Sequence, residues 1–328
     1  MKTLLLLTFL LSLVLVPVTS AQDEMTDVTL FLSFIPSVQF APIYAAIENG
    51  YFAEEGINLT VENSFNEADG VDRLAVNDLQ FGIISGEQVI VARGAGKPLV
   101  YVYEWFHSFP VGIVAPADSG IEEPADLVGK KVGMPGPFGA SYMGLRALLA
   151  ANGIDELELQ LEAIGFTAPE NVCQGNVQAS VVYISNEPLT IEQNCFPVNV
   201  IRISDYVDLV SNGLVTNEET IADNPELVAG MVRALQRGVM FVMENPDEAF
   251  DLSVKNYVVD LPEAEYDTQR QVLDNSIELW RSDDLGATDP VRWETTQQIM
   301  LDIGFIQEPL DDLTAAYSND FLPQKADE

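Results

Sequence analysis

Apolar and polar positions along the chain switch repeatedly between a two-residue and a helical period. The run VTLFLSFI (28–35) reads as a strand, and PIYAAIENGYFAEEG (42–56) has helical spacing that stops at a glycine. INLTVENS (57–64) alternates as a strand, GVDRLAVND (70–78) is helical, and LQFGIIS (79–85) is a short buried strand. EQVIVARGAG (87–96) is a helix with its stop signal, and LVYVYEWF (99–106) is a further apolar strand. This strand–helix alternation predicts a mainly parallel sheet with helices on both faces.

A second series starts near Pro116. PADLVGKKVGMPG (124–136) leads into the helix ASYMGLRALLAANG (140–153), then the strand LQLEAIGF (159–166). The helix APENVCQGNV (168–177) and the strands ASVVYIS (179–185) and VNVIRIS (198–204) follow. After SNGLVTNEETIADNP (211–225) the pattern is helical to the end. The reading is an α/β chain in which residues 115–207 form a second lobe inserted into a first made of 22–114 and 208–328. The expected crossings, near 111–117 and 204–214, would act as a hinge with a ligand in the cleft between the lobes.

The N-terminal pattern is of another kind. Lys2, the apolar run from Leu4 to Val16, and Thr19-Ser20-Ala21 make residues 1–21 read as a secretory signal peptide, too short for a comfortable membrane span. No cysteine follows the apolar run, so no lipid anchor is expected, and the mature chain would begin near Gln22 outside the cytoplasm. It would lie in the periplasm or, if the signal stays uncleaved as an N-terminal anchor, at the outer face of the cytoplasmic membrane.

Composition sharpens this picture by exclusion. With 51 acidic against 15 basic side chains the net charge is −36, a field that repels nucleic acid and anionic lipid. Hydrophobic residues make up 48% of the chain, enough for two cores. Cys173 and Cys195 are an even pair in an exported chain, placed on helices that flank the strand ASVVYIS. A bridge is geometrically possible there, and the sequence is equally compatible with two separate thiols.

Several stretches carry a family resemblance. PSVQFAPIYAAIENGYFAEEGINLTVE, FGIISGEQVIVARGAGKPLV, EEPADLVGKKVGMPG, GLVTNEETIADNPELVAGMVRALQRG and AYSNDFLP occur in that order over nearly the whole mature chain. Together they resemble the NMT1/THI5-like superfamily of periplasmic binding proteins. Within it, SGEQV, FPVGIVAPADSGI, GASYMGLRALLAANG, EAIGFT and VVYISNEP look most like the riboflavin-binding subunits of bacterial riboflavin importers. The resemblance implies a type II periplasmic-binding-protein fold with two hinge crossings. It also implies a monomer that captures a flavin and delivers it to an ABC permease with its ATPase. Riboflavin would then be a transported ligand, not a cofactor.

Candidate ligand residues lie where strand ends meet helix starts, the side on which open α/β sheets bind ligands. They are Gln39 and Phe40 in the first such loop, Ser85 and Glu87 in the second, and Phe138, Gly139, Ala140, Ser141 and Tyr142 in the third. Glycines admit a flat ligand close to the backbone, helix starts offer free N–H groups, and Phe138 and Tyr142 could stack on a ring. Trp105 and Phe106 end an apolar strand, so a regular strand would turn only one of them into the cleft. Asn186, Glu187 and Asn212 are turn polars able to match the donors and acceptors of a pyrimidinedione edge or sugar hydroxyls. His107 is the single histidine and makes no metal site, and Arg146 reads as a helix-exterior or lobe-packing residue.

The pattern speaks against catalysis. The pyrimidine-synthesising enzymes of the superfamily use a histidine with a cysteine-rich iron site, which this chain lacks, and no nucleophile or P-loop motif is present. A ligand-sensing module is a further use of the same fold. Among cargoes a flavin leads, the pyrimidine precursor of thiamine follows, and sulfonates come last because acidic loops repel them.

Overall fold

The computed structural model describes residues 25–324, so the expected signal segment 1–21 lies outside the described residues. The first stretch contains β1 (Thr26–Leu32), α1 (Ala41–Glu48), α2 (Tyr51–Glu54), β2 (Ile57–Asn63), α3 (Glu67–Ala75), β3 (Phe81–Ser85), α4 (Gly86–Gly94) and β4 (Leu99–Glu104). The second contains β5 (Val111–Pro116), β6 (Lys131–Met134), α5 (Gly139–Ala151), β7 (Gln160–Ala163), α6 (Ala168–Cys173), β8 (Ala179–Tyr183), α7 (Glu187–Asn194) and β9 (Val198–Arg202). The chain then returns as β10 (Asn212–Asn217), α8 (Glu218–Asp223), α9 (Pro225–Glu244), α10 (Pro246–Asn256), α11 (Tyr266–Trp280) and α12 (Pro290–Asp302).

Two five-stranded sheets result, ordered β2-β1-β3-β10-β4 in lobe 1 and β7-β6-β8-β5-β9 in lobe 2. The orders are equivalent position by position. In each sheet four strands point one way, and the strand that has just crossed from the other lobe, β10 or β5, runs antiparallel to both neighbours. The sheets are therefore mixed, with a parallel majority. The central strand FGIIS is buried along its whole length, and so is the edge strand LVYVYE, whose outer side is met by Tyr317 and Gly286, which is why both read as unbroken apolar runs. The edge strands β2 and β7 retain exposed positions.

Helix starts follow local chemistry. Asn66, Asn217 and Asn224 each accept a backbone N–H of the first turn, and Pro225, Pro246 and Pro290 occupy first-turn positions where no N–H is needed. Helix α9 lies against α1 so closely that a Cβ on Gly238 would sit 2.1 Å from the Pro42 carbonyl oxygen.

Strand β4 stops earlier than its apolar run suggests. The N–H groups of both Trp105 and Phe106 turn to the Asn212 carbonyl oxygen, at 3.2 Å each, and the ladder ends at Glu104. Residues 105–110 and 203–211 carry the chain between the sheets. Arg292 on α12 holds both passages, contacting Glu104 Oε1 at 3.2 Å, the His107 carbonyl at 2.7 Å and Asp208 at 3.0 Å. His107 Nδ1 lies 2.9 Å from the same Glu104 oxygen.

Cys173 and Cys195 are joined in a disulfide, with Cα atoms 5.8 Å apart, fastening α6 to the end of α7 beside β8. Arg146 packs one lobe on the C-terminal region, donating to the Ile303 carbonyl at 2.8 Å and pairing with Glu156 at 2.7 Å. No helix among the described residues is long and apolar enough to cross a membrane.

Candidate functional site

The cleft lies where the C-terminal ends of both parallel strand sets face each other. It encloses about 950 Å³ of atom-free space, including its open mouth. Lobe 1 contributes Ser33, Phe34, Gln39, Phe40, Phe65, Glu67, Ile83, Phe106 and Asn212. Lobe 2 contributes Pro135, Phe138, Gly139, Ala140, Ser141, Phe166, Val181, Val182, Tyr183, Asn186 and Glu187. A site between lobes follows from the topology, because strand–helix loops of one sheet can only face those of the other.

Most of the residues singled out from the sequence reach this space. Gln39 is buried and donates from Nε2 to Ser185 Oγ across the lobes at 3.1 Å. Phe40 and Phe106 line the lobe 1 wall, while Phe138 is 47% exposed at the start of α5. Gly139, Ala140 and Ser141 form the first turn of that helix, where backbone N–H groups have no helical acceptor. Asn186 precedes α7 and Glu187 begins it, with a Glu187 oxygen accepting the Tyr183 N–H at 3.1 Å. Asn212 accepts the Tyr183 hydroxyl at 3.2 Å, a second tie between lobes.

Four residues lie elsewhere. Ser85 and Glu87 are buried behind the wall, where Ser85 Oγ is 2.8 Å from Glu67 and 2.7 Å from Glu87. Trp105 is 1% exposed and packs among Phe40, Phe106 and Trp280 at ring distances of 5.9, 5.9 and 6.0 Å. The turn after Glu104 sends its indole into the lobe 1 core and leaves Phe106 at the cleft. Tyr142 points away, bonding Glu156 at 2.9 Å and lying 6.2 Å from the Phe305 ring. Phe138 is the extended residue before α5 and lines the cleft, whereas Tyr142 is tied to Glu156 outside the lining, so the two do not sandwich one ligand.

Sequence reasoning missed five residues with a common signal. Phe34, Phe65 and Phe166 follow the ends of β1, β2 and β7 by two or three positions. They meet in one cluster across the lobes, with Phe65 stacked on Phe166 at 4.9 Å and Phe34 edge-on to both at 6.1 and 5.6 Å. Glu67 opens α3 after its Asn66 cap, a strand-to-helix junction of the type used for the other loops. Tyr183 closes β8, just before the YISNEP turn.

The electrostatics are one-sided. None of the lining residues is lysine, arginine or histidine. Burial pushes the Glu187 carboxyl up to about 7, against partial relief from backbone N–H groups. Burial raises Glu67 too, opposed by its bonds from Ser85, and burial with the nearby Glu67 charge brings Glu87 to about 8. The Tyr183 phenol is held neutral by burial and by the surrounding carboxylates. Such a cleft suits a flat, uncharged ligand rich in hydrogen-bonding edges and repels an anion.

Comparisons with known proteins show the family and the fold. The NMT1/THI5 like family model matches residues 37–249. The chain is 36% identical over 315 residues to the riboflavin-binding protein RibY of Chloroflexus aurantiacus, covering 94% of this chain and 89% of that protein. It is 29% identical to the formylaminopyrimidine-binding protein of Halalkalibacterium halodurans, covering 73% of each. A 4-amino-5-hydroxymethyl-2-methylpyrimidine phosphate synthase of Legionella pneumophila is 28% identical, over 69% of this chain and 72% of the enzyme. Among solved structures, the periplasmic aliphatic sulphonate binding protein SsuA of Escherichia coli superposes with a TM-score of 0.73 at 16% identity. That match covers 92% of this chain and 95% of SsuA and shows the shared fold.

Proposed function

The chain belongs to the NMT1/THI5-like family, and from that premise we propose that it is the extracytoplasmic solute-binding subunit of an ABC importer, capturing riboflavin or a related flavin between its lobes. The observation that carries this reading is the cleft wall. Phe34, Phe40, Phe65, Phe106, Phe138 and Phe166 surround it, and no cationic side chain lines it. An isoalloxazine ring offers these phenylalanines a large apolar face, each ring contact adding about 0.5–1.5 kcal/mol beyond area burial. The likeness to RibY supports the same cargo.

Capture works by lobe closure. Gln39 meets Ser185 and Asn212 meets Tyr183 only when the walls approach, so a ligand touching both walls shifts the open–closed balance by its differential affinity. The closed form then docks on the permease through acidic surface of both lobes. Export would follow from the N-terminal signal. The lining lacks a nucleophile beside a base, and the role is binding without turnover.

The test is fluorescence titration of riboflavin with the purified mature protein. Quenching that saturates at one flavin per chain with Kd below about 1 μM, near −8 kcal/mol, is expected. Unchanged fluorescence with tight binding of formylaminopyrimidine would move the chain to the second cargo, favoured by the likeness to the Halalkalibacterium protein. Product formed from either compound would revive an enzymatic role.

A further inference from the structure

Ser85 stands between two acids. Its hydroxyl oxygen is 2.8 Å from Glu67 Oε1 and 2.7 Å from Glu87 Oε1, and its backbone N–H donates to the same Glu67 oxygen at 2.7 Å. A serine hydroxyl owns one proton and donates it once. Were both acids ionised, one of the two short oxygen contacts would hold no proton and would set lone pair against lone pair. One acid therefore supplies a proton.

The surroundings decide which. Glu67 Oε1 already receives the Ser85 N–H, so the hydroxyl and the amide converge on it as on a carboxylate. Glu87 is 1% exposed, its Oε2 has no hydrogen-bond partner and its carboxyl no ion pair among the described residues, and burial outweighs the relief from the Gln88 side chain and its own N–H. Protonated at Oε1, it donates to Ser85 Oγ and takes the neutral form that burial demands. The proton thus stays on Glu87 behind the wall, and the charge stays on Glu67 at the cleft.

Glu67 Oε2 is left for something else. It faces α5 of the other lobe, where a Cβ built on Gly139 would come within 3.2 Å of it. Gly139 has φ +67°, a conformation that other side chains resist, so the lobe 2 backbone comes close without covering the oxygen.

We propose that Glu67 is the specificity-determining acceptor of the cleft: its Oε2 takes an N–H or O–H donor of the bound flavin. Glu87 is a positioning residue that, as a neutral acid, holds Ser85 and through it the Glu67 carboxylate. This assignment rests on flavin capture in the cleft, and it favours a ligand edge bearing a donor over one bearing only acceptors. The other titratable groups facing the cleft are Glu187 and Tyr183, both from lobe 2. Affinity then falls on acidification as Glu67 gains a proton. It falls again above pH about 8 as Glu87 loses one and crowds Glu67 with a second charge.

The experiment compares wild type, Glu67→Gln and Glu87→Gln in riboflavin titrations at neutral pH, with thermal melts as the folding control. Glu67→Gln turns an amide donor toward the ligand donor and should weaken binding by roughly tenfold or more, the usual range for a charged hydrogen bond. Glu87→Gln still donates to Ser85 as the protonated acid does and should stay within about threefold. N3-methylriboflavin and lumiflavin, which lacks the ribityl chain, locate the donor. The analogue missing it should bind wild type and Glu67→Gln alike. If Glu67→Gln does not fold, Glu67→Asp takes its place: it keeps the charge but draws the oxygen back by one methylene, and should weaken riboflavin roughly tenfold while leaving the analogue that lacks the donor unaffected. Wild type that leaves riboflavin fluorescence unchanged overturns the cargo reading. Wild type that binds while Glu67→Gln binds equally well, or Glu87→Gln loses as much as Glu67→Gln, overturns the Glu67 assignment alone.

Discussion

Behind the lobe 1 wall of the cleft, Trp105, Phe106 and Trp280 form an aromatic block with ring distances of 5.9–6.1 Å, continuous with a core that reaches α9, α10 and α11. The outer part of lobe 2 rests instead on Val114, Ala168, Val172, Val177, Val182 and Ile191, with the Cys173–Cys195 bridge alongside. The two sheets have equivalent strand orders, so the contrast comes from the helices α9, α10 and α11 that only lobe 1 carries and from the side chains they bury. Lobe 1 is a bed of packed aromatic side chains backed by three helices. Lobe 2, whose inner face packs into a core shared with lobe 1, acts as the cover and presents the first turn of α5, the Glu187 carboxyl and Phe166. Under the proposed capture mechanism, lobe 1 would be the pre-formed face and lobe 2 the one that closes on it.

Removing the bed has the largest expected effect. Trp105→Ala should lower unfolding free energy by about 3–5 kcal/mol in urea titrations, a core-cavity loss. A fully stable variant would show that the aromatic block does not hold lobe 1. Replacing Cys173 and Cys195 with serine should cost about 2–4 kcal/mol, because the bridge closes a loop of 22 residues. Hydrogen exchange should then accelerate in α6 and α7 while α9 stays protected. Equal acceleration in both would erase the contrast between the lobes.

The pH dependence is smaller and local to the cover. Because the folded-state Glu187 carboxyl is held near 7, above the ordinary value of 4.5, it contributes stability fully present below about pH 4.5. That contribution is lost as pH rises toward 7. Glu187→Gln should flatten this stretch of a stability–pH curve, and an unchanged curve would mean that water reaches the carboxyl freely. Smallest in stability is Phe166→Ala, since the ring is 40% exposed. It should shift unfolding by no more than about 1 kcal/mol and weaken flavin binding roughly two- to tenfold, in line with one lost ring contact.

Much of this organisation is written in local patterns. The two-lobed α/β architecture follows from alternating periods, and Gln39, Phe138 and Asn186 could be found because strand-to-helix junctions mark the cleft edge. Trp105 could not be placed, because its direction depends on where β4 stops, and that is set by the Asn212 carbonyl more than one hundred residues away in the chain. Glu87 and Glu67 occupy equivalent junctions, yet Ser85 hides one behind the other, a relation that exists only after β3 pairs with β1. The Phe65–Phe166 stack joins two lobes, and no period within either lobe encodes it.

The account stands or falls on what the two walls hold between them. Equilibrium dialysis of the mature protein against an equimolar mixture of riboflavin and formylaminopyrimidine reads this directly. Retention of about one riboflavin per chain, with the pyrimidine equal on both sides of the membrane, is the predicted result. Retention of the pyrimidine while riboflavin equilibrates would contradict it.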